Sequence, residues 1–126
     1  MKFLTSILFI CLLSSCKYTF SDFVEVDKIE NVHMHNNMGD FDLTYAQLKK
    51  FKQQIGVLPY APNQSVKLGA IGMTLTIEGK NYYIGARTHG DFIEIDPSMV
   101  TKNKWYFSSH YFKTNGLNFD NFNLKN

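Results

Sequence analysis

The sequence predicts an α+β fold: an antiparallel β-sheet, a meander of at least three strands plus flanking strands, with one α-helix packed on one face. Three observations point there. Met73 to Asp96 alternates in register around two tight turns, Leu43 to Gly56 carries a helical stripe, and the elements run strand, helix, then several strands. No internal repeat and no linker divides the chain, so residues 23–126 read as a single small domain.

The meander sets its own faces. Met73-Thr74-Leu75-Thr76-Ile77 alternates apolar and hydroxyl residues, the period of a half-buried strand. Glu78-Gly79-Lys80-Asn81 is read as the first turn, which pairs Ile77 with Tyr82, Leu75 with Ile84 and Met73 with Ala86. His89-Gly90 is the second turn, which pairs Ala86 with Ile93, Ile84 with Ile95 and Arg87 with Phe92. Both turns send Met73, Leu75, Ile77, Tyr82, Ile84, Ala86, Ile93 and Ile95 to one side, the expected core face. Thr74, Thr76, Tyr83, Gly85, Arg87, Phe92, Glu94 and Asp96 take the other.

In the helix, Thr44 and Gln47 have capping-box spacing, Leu43 and Leu48 that of a hydrophobic staple. Tyr45, Leu48, Phe51 and Ile55 form its apolar stripe, and Gly56 is its stop. Upstream, Phe23 to Asp27 and Ile29 to His35 read as one strand broken at Lys28, and Asn36 to Asp40 as a turn. Val57 to Ser65, with Pro59 and Pro62, is an extended crossing. Val66 to Gly72 extends the first meander strand, with Gly69 and Gly72 marking a bulge or a close backbone approach. Lys104 to Lys113 reads as a further strand, and Leu117, Phe119 and Phe122 as a tail folded back on the domain.

Residues 1–15 fall outside the fold. Lys2 gives a positive start, and the mostly apolar run Phe3 to Leu13 is too short to span a bilayer. The run ends in Leu13-Ser14-Ser15-Cys16, which resembles the lipobox of bacterial lipoproteins. That resemblance covers this segment only. It implies cleavage before Cys16, lipidation of Cys16, and a protein anchored to a membrane of the bacterial envelope. Residues 16–22 then form a short tether. With Lys rather than Asp at position 17, analogy with enteric lipoproteins favours the outer membrane over the inner. Cys11 leaves with the signal and Cys16 is acylated, so the mature chain has neither a disulfide nor a free thiol. Its stability must come from a hydrophobic core. Loss of Lys2 reduces 13 basic residues to 12 against 11 acidic ones, a formal charge of +1. That balance offers no footprint for nucleic acid.

Candidate chemistry is sparse. His33 and His35, two apart on a strand, point to one side as metal ligands would, and a site would need His110 or Asp40 from elsewhere in the fold. Glu94 and Asp96 share a strand face, with Arg87 nearby to pair one of them. His89 tips an exposed turn that offers no pocket to tune it. No nucleophile-elbow, zinc-protease or phosphate-loop motif is present. The leading expectation is therefore a non-catalytic, lipid-anchored module that binds another protein, needs no cofactor, and has an immunity or inhibitor role as one instance. Its binding patch centres on Tyr83, Arg87 and Phe92, with Thr74, Thr76 and Glu94 as the rim. The alternative is a metal- or small-molecule-binding enzyme domain using His33, His35 and His110.

Overall fold

The structure is a computed structural model and describes residues 18–36, 39–62, 71–86 and 91–117. Six strands form one antiparallel sheet: β1 (Ile29–Asn36), β2 (Gly39–Asp42), β3 (Ile71–Ile77), β4 (Lys80–Ala86), β5 (Phe92–Ile95) and β6 (Tyr111–Lys113). Their spatial order is β2-β1-β3-β4-β5-β6. The helix α1 (Tyr45–Gly56) lies between β2 and β3 in sequence. The fold is α+β.

Alternation along the strands builds the core. Val32, Met34, Met73, Leu75, Ile84, Ala86, Ile93, Ile95 and Phe112 are buried in one cluster with Phe51 and Ile55 of α1 and with Phe20 and Phe23. Every residue expected on the core face is buried except Tyr82, which packs partly buried at its margin.

Between β3 and β4 the structure corrects the register. The turn is two residues long, Glu78-Gly79, with φ of 50° and 78°. Ile77 therefore pairs with Lys80, Leu75 with Tyr82, Met73 with Ile84 and Ile71 with Ala86. A turn with two positive φ angles matches strand twist, and it lets Lys80 and Asn81 join the ladder instead of leaving their backbone groups unpaired. The slip is two residues, so each side chain keeps its face. Between β4 and β5 the pairing is as expected, Ala86 with Ile93 and Ile84 with Ile95. The His89-Gly90 turn and Arg87 lie outside the described residues.

Among the described residues upstream of β1 there is no strand. Phe20–Asp22 and Val26–Lys28 are single 3-10 turns. Phe23 and Val24 are consecutive and both buried, which a strand with one buried face does not allow. The expected turn before the helix is instead a hairpin, with Asn36 paired to Gly39 and β2 running on through Asp42.

The aromatic segment is a strand only at its end. Trp105 and Tyr106 lie in a turn, and only Tyr111–Lys113 joins the sheet. The Tyr60 hydroxyl accepts hydrogen bonds from the Ser108 and Ser109 amides, both at 2.7 Å, and Tyr106 and Phe107 pack around Phe23 and Tyr60. Those contacts bend the chain away from the sheet. The outer edge of β6 is covered. Tyr60 bridges Phe112, Ala61 N–H donates to Tyr111 O at 3.0 Å, and Lys113 N–H donates to Pro59 O at 2.9 Å. Over that segment lies Tyr18-Thr19, with Tyr60 N–H donating to Tyr18 O at 2.8 Å and Thr19 bridging Pro59. Phe20 is fully buried, so the expected tether over residues 16–22 is already folded domain from Tyr18 onward.

The helix starts as expected. Thr44 N–H donates to Gln47 Oε1 at 2.8 Å, and Gln47 N–H donates to Thr44 Oγ1 at 3.2 Å. Two details differ. Gly56 is the buried last helical residue with an ordinary φ, and Val57 is the C-cap. Tyr45 is 86% exposed, because α1 buries its second half, Phe51, Ile55 and Gly56, and its first turn projects past the contact. Phe51→Ala should therefore lower unfolding free energy by about 3–5 kcal/mol, and Tyr45→Ala should change it by no more than about 0.5 kcal/mol. Denaturant titration of both variants checks this, and comparable losses would refute the packing described.

Candidate functional site

The second face of the sheet has no core to serve. Its residues follow from the pleat: Asp40 and Asp42 on β2, Asn31, His33 and His35 on β1, Gly72, Thr74 and Thr76 on β3, Asn81, Tyr83 and Gly85 on β4, Phe92 and Glu94 on β5. The helix, both 3-10 turns before β1 and the aromatic cluster pack into the core on the opposite side. Among the described residues, this face is open.

Two register rows cross it. One runs Asp42, His33, Thr74, Tyr83, and the other Asp40, His35, Gly72, Gly85, Glu94, Tyr111. Gly72 and Gly85 face each other, leaving a floor without side chains at the centre. The Tyr83 ring lies across it. A Cβ on Gly72 would fall 2.6 Å from Tyr83 Cζ and 2.7 Å from the Ile84 carbonyl oxygen. This is the close approach the sequence places at Gly72; Gly69 lies outside the described residues. Gly72 thus sets where Tyr83 stands, and Tyr83 remains 51% exposed.

The expected patch is brought together in part. Tyr83 and Thr74 are direct cross-strand partners, while Thr76 pairs with Asn81 and donates to its Oδ1 at 2.7 Å. Phe92 and Glu94 are half-buried on β5, on the far side of β4 from Thr74. Arg87, the intended cation of the patch, lies outside the described residues.

At the other end, the hairpin joins histidines to carboxylates. His33 Nδ1 is 2.9 Å from Asp42 Oδ1, and His35 Nδ1 is 2.9 Å from Asp40 Oδ1. The rings stand edge to face with centroids 4.6 Å apart. A carboxylate only accepts, so each imidazole donates from Nδ1, and a neutral ring then has its lone pair on Nε2. Hydrogen bonds from His33 and then Asn31 hold the Asp42 carboxyl below its ordinary range. The sequence reading missed Asp42. The signal was there in Gly39-Asp40-Phe41-Asp42, an alternation that pairs both carboxylates with the histidines across a short turn.

The remaining candidates separate. His110 lies beyond β5, its ring stacked on Phe107 with centroids 6.0 Å apart, and β3, β4 and β5 separate it from the β1 histidines. The His33, His35 and His110 grouping therefore does not form. Asp96 caps the Pro97–Met99 turn, accepting from Ser98 N–H at 2.9 Å and Ser98 O–H at 2.7 Å, and these bonds depress its carboxyl pKa. A groove of about 340 Å³ between Tyr18, Tyr60 and Tyr106 has no acid or histidine among its described lining residues. No protein-family model, curated protein or solved structure matches the chain.

Gly72→Ala should cost about 1–3 kcal/mol, because the new methyl meets the fixed Ile84 carbonyl as well as the Tyr83 ring. Thermal melting checks this. A neutral Gly72→Ala would mean that the ring does not lie where described.

Proposed function

We propose that the chain is a lipid-anchored, non-catalytic binding protein of the bacterial envelope, which presents the open face of its sheet to another protein. The observation that carries this reading is the one-sidedness of the fold. The buried apolar side chains of the described strands are gathered on one face, and the other offers Tyr83, Phe92, Thr74 and the His–Asp hairpin. Aromatic side chains amid small polar ones are the composition of protein-binding surfaces. An immunity or inhibitor role is one instance of such a module.

The structure bears on how the anchor would hold the domain. The described fold includes Tyr18, and only Lys17 stands between that residue and Cys16 in sequence. An extended residue spans at most about 3.6 Å, which keeps the Tyr18 backbone within about 7 Å of an acylated cysteine. Tyr18 packs on Tyr106 at 4.3 Å, and Tyr106 meets Trp105 at 5.6 Å. Trp105 is 81% exposed and flanked by the exposed Lys102 and Lys104. Trp and Tyr favour the membrane interface, and lysines favour anionic headgroups. The domain would therefore rest on the bilayer surface through this corner instead of swinging on a stalk.

Trp105 is the chain's single tryptophan and so its own reporter. Lipidated protein in vesicles with brominated acyl chains should show quenched Trp105 emission, whereas Cys16→Ser should neither carry lipid by mass spectrometry nor be quenched. An unmodified Cys16 in the mature protein would defeat the anchor. Unquenched emission from vesicle-bound protein would defeat only the resting orientation.

The binding role is tested through Tyr83. A partner recovered from the producing cell's envelope should bind Tyr83→Ala more weakly by about 2 kcal/mol, roughly 30-fold, while Lys49→Ala on the exposed face of α1 binds unchanged. Equal affinity for Tyr83→Ala with an intact melt would rule out this face.

A further inference from the structure

We propose that the β1–β2 hairpin is a binding site for a divalent transition-metal ion of the zinc class, held by Nε2 of His33, Nε2 of His35 and the Asp40 carboxylate. One ring nitrogen of each histidine and one Asp40 carboxylate oxygen all lie within 4.8 Å of one another. A tetrahedral zinc site with bonds of about 2.0–2.1 Å holds its ligand atoms about 3.3 Å apart. Closing that difference calls for side-chain rotation and for release of the Asp40–His35 hydrogen bond. The carboxylate is mostly exposed and the imidazoles are partly so, which leaves them room to turn.

The backbone is already in place. His33 and His35 project from one face of β1, and the ladder fixes Asp42 and Asp40 opposite them. The imidazoles are also oriented. Asp42 takes the Nδ1–H of His33 and so directs the Nε2 lone pair outward, the carboxylate–histidine–metal arrangement common to protein metal sites. Asp40 does the same for His35 in the metal-free form; turned toward the ion, its carboxylate gives up that bond and becomes the third ligand. Two carboxylates at the hairpin suit a dication, and imidazole selects zinc, copper or nickel over magnesium or calcium. With three protein ligands the fourth position opens to the outside of the sheet, on the same face as Tyr83. The site does not depend on the anchor or on a protein partner.

The mature protein, stripped with chelator and titrated with zinc sulfate in a calorimeter, should bind one ion per chain. His33→Gln with His35→Gln should remove that binding. Asp42→Asn should weaken it by about 10- to 100-fold by releasing the His33 ring, and His110→Ala should leave it unchanged. In nitrogen NMR of the histidine rings, zinc should shift Nε2 of His33 and His35 and spare His110. Absence of saturable one-to-one binding overturns the proposal, and so does zinc binding that survives the double histidine change. If that double variant does not fold, Asp40→Asn decides: affinity equal to that of the unchanged protein overturns the site, and a loss of tenfold or more supports it.

Discussion

The two-residue period of the β-pleat is the constraint on which the rest of this molecule depends. Six strands in antiparallel register commit every second residue to one side. One side receives Met, Leu, Ile and Val and closes against α1, Phe20 and Phe23. The other receives His, Thr, Tyr, Asp and Asn. The same parity that buries Val32 and Met34 places His33 and His35 together in the open, and brings Asp42 and Asp40 beside them. Core and candidate site are two consequences of one alternation.

That alternation is also why much of the fold was legible. The faces of β3, β4 and β5 could be read residue by residue, and so could the capping box at Thr44. Parity even tolerated an error: reading the Glu78-Gly79 turn two residues too long shifted the partners and left the faces intact. What could not be read depends on long-range contacts. Phe23 and Val24 look like strand residues until Phe23 meets Tyr60 and Phe112 and the two are buried side by side. Lys104 to Lys113 has strand composition, but the Tyr60 hydroxyl binds the Ser108 and Ser109 amides and bends the chain off the ladder. Nothing local announces either event. The site was legible to the same degree. The histidine pair and Tyr83 could be placed on their face, but the Asp42 partnership required seeing β2 as a strand, and its four residues are too few for a strong periodic signal.

The aromatic cluster around Phe23 and Tyr60 joins distant parts of the sequence. Tyr18, Phe23, Tyr60, Tyr106, Phe107 and Phe112 come from three separate stretches, and their rings meet at centroid distances of 4.3 to 6.5 Å. Phe23 O accepts from the Thr101 and Lys102 amides at 2.9 and 3.1 Å, adding backbone hydrogen bonds to the ring contacts. The start of the fold is thereby locked to its last strand. The described residues contain no cysteine, so these rings serve as their cross-link, and force applied at Tyr18 would be carried into the sheet.

Were the protein anchored as proposed, the edges of the sheet would have a further consequence. Proteins confined to a surface meet one another in two dimensions, at local concentrations far above those in solution, and an unpaired strand edge is then an invitation to stack chain upon chain. Here one edge is β6, already covered by Pro59 to Ala61. The other is β2, four residues long, with Asp40 and Asp42 among them. A second copy approaching that edge would bring like charges face to face across a ladder too short to offset the repulsion. The acidic hairpin would therefore keep neighbouring copies apart, so that crowding on the bilayer need not end in aggregation.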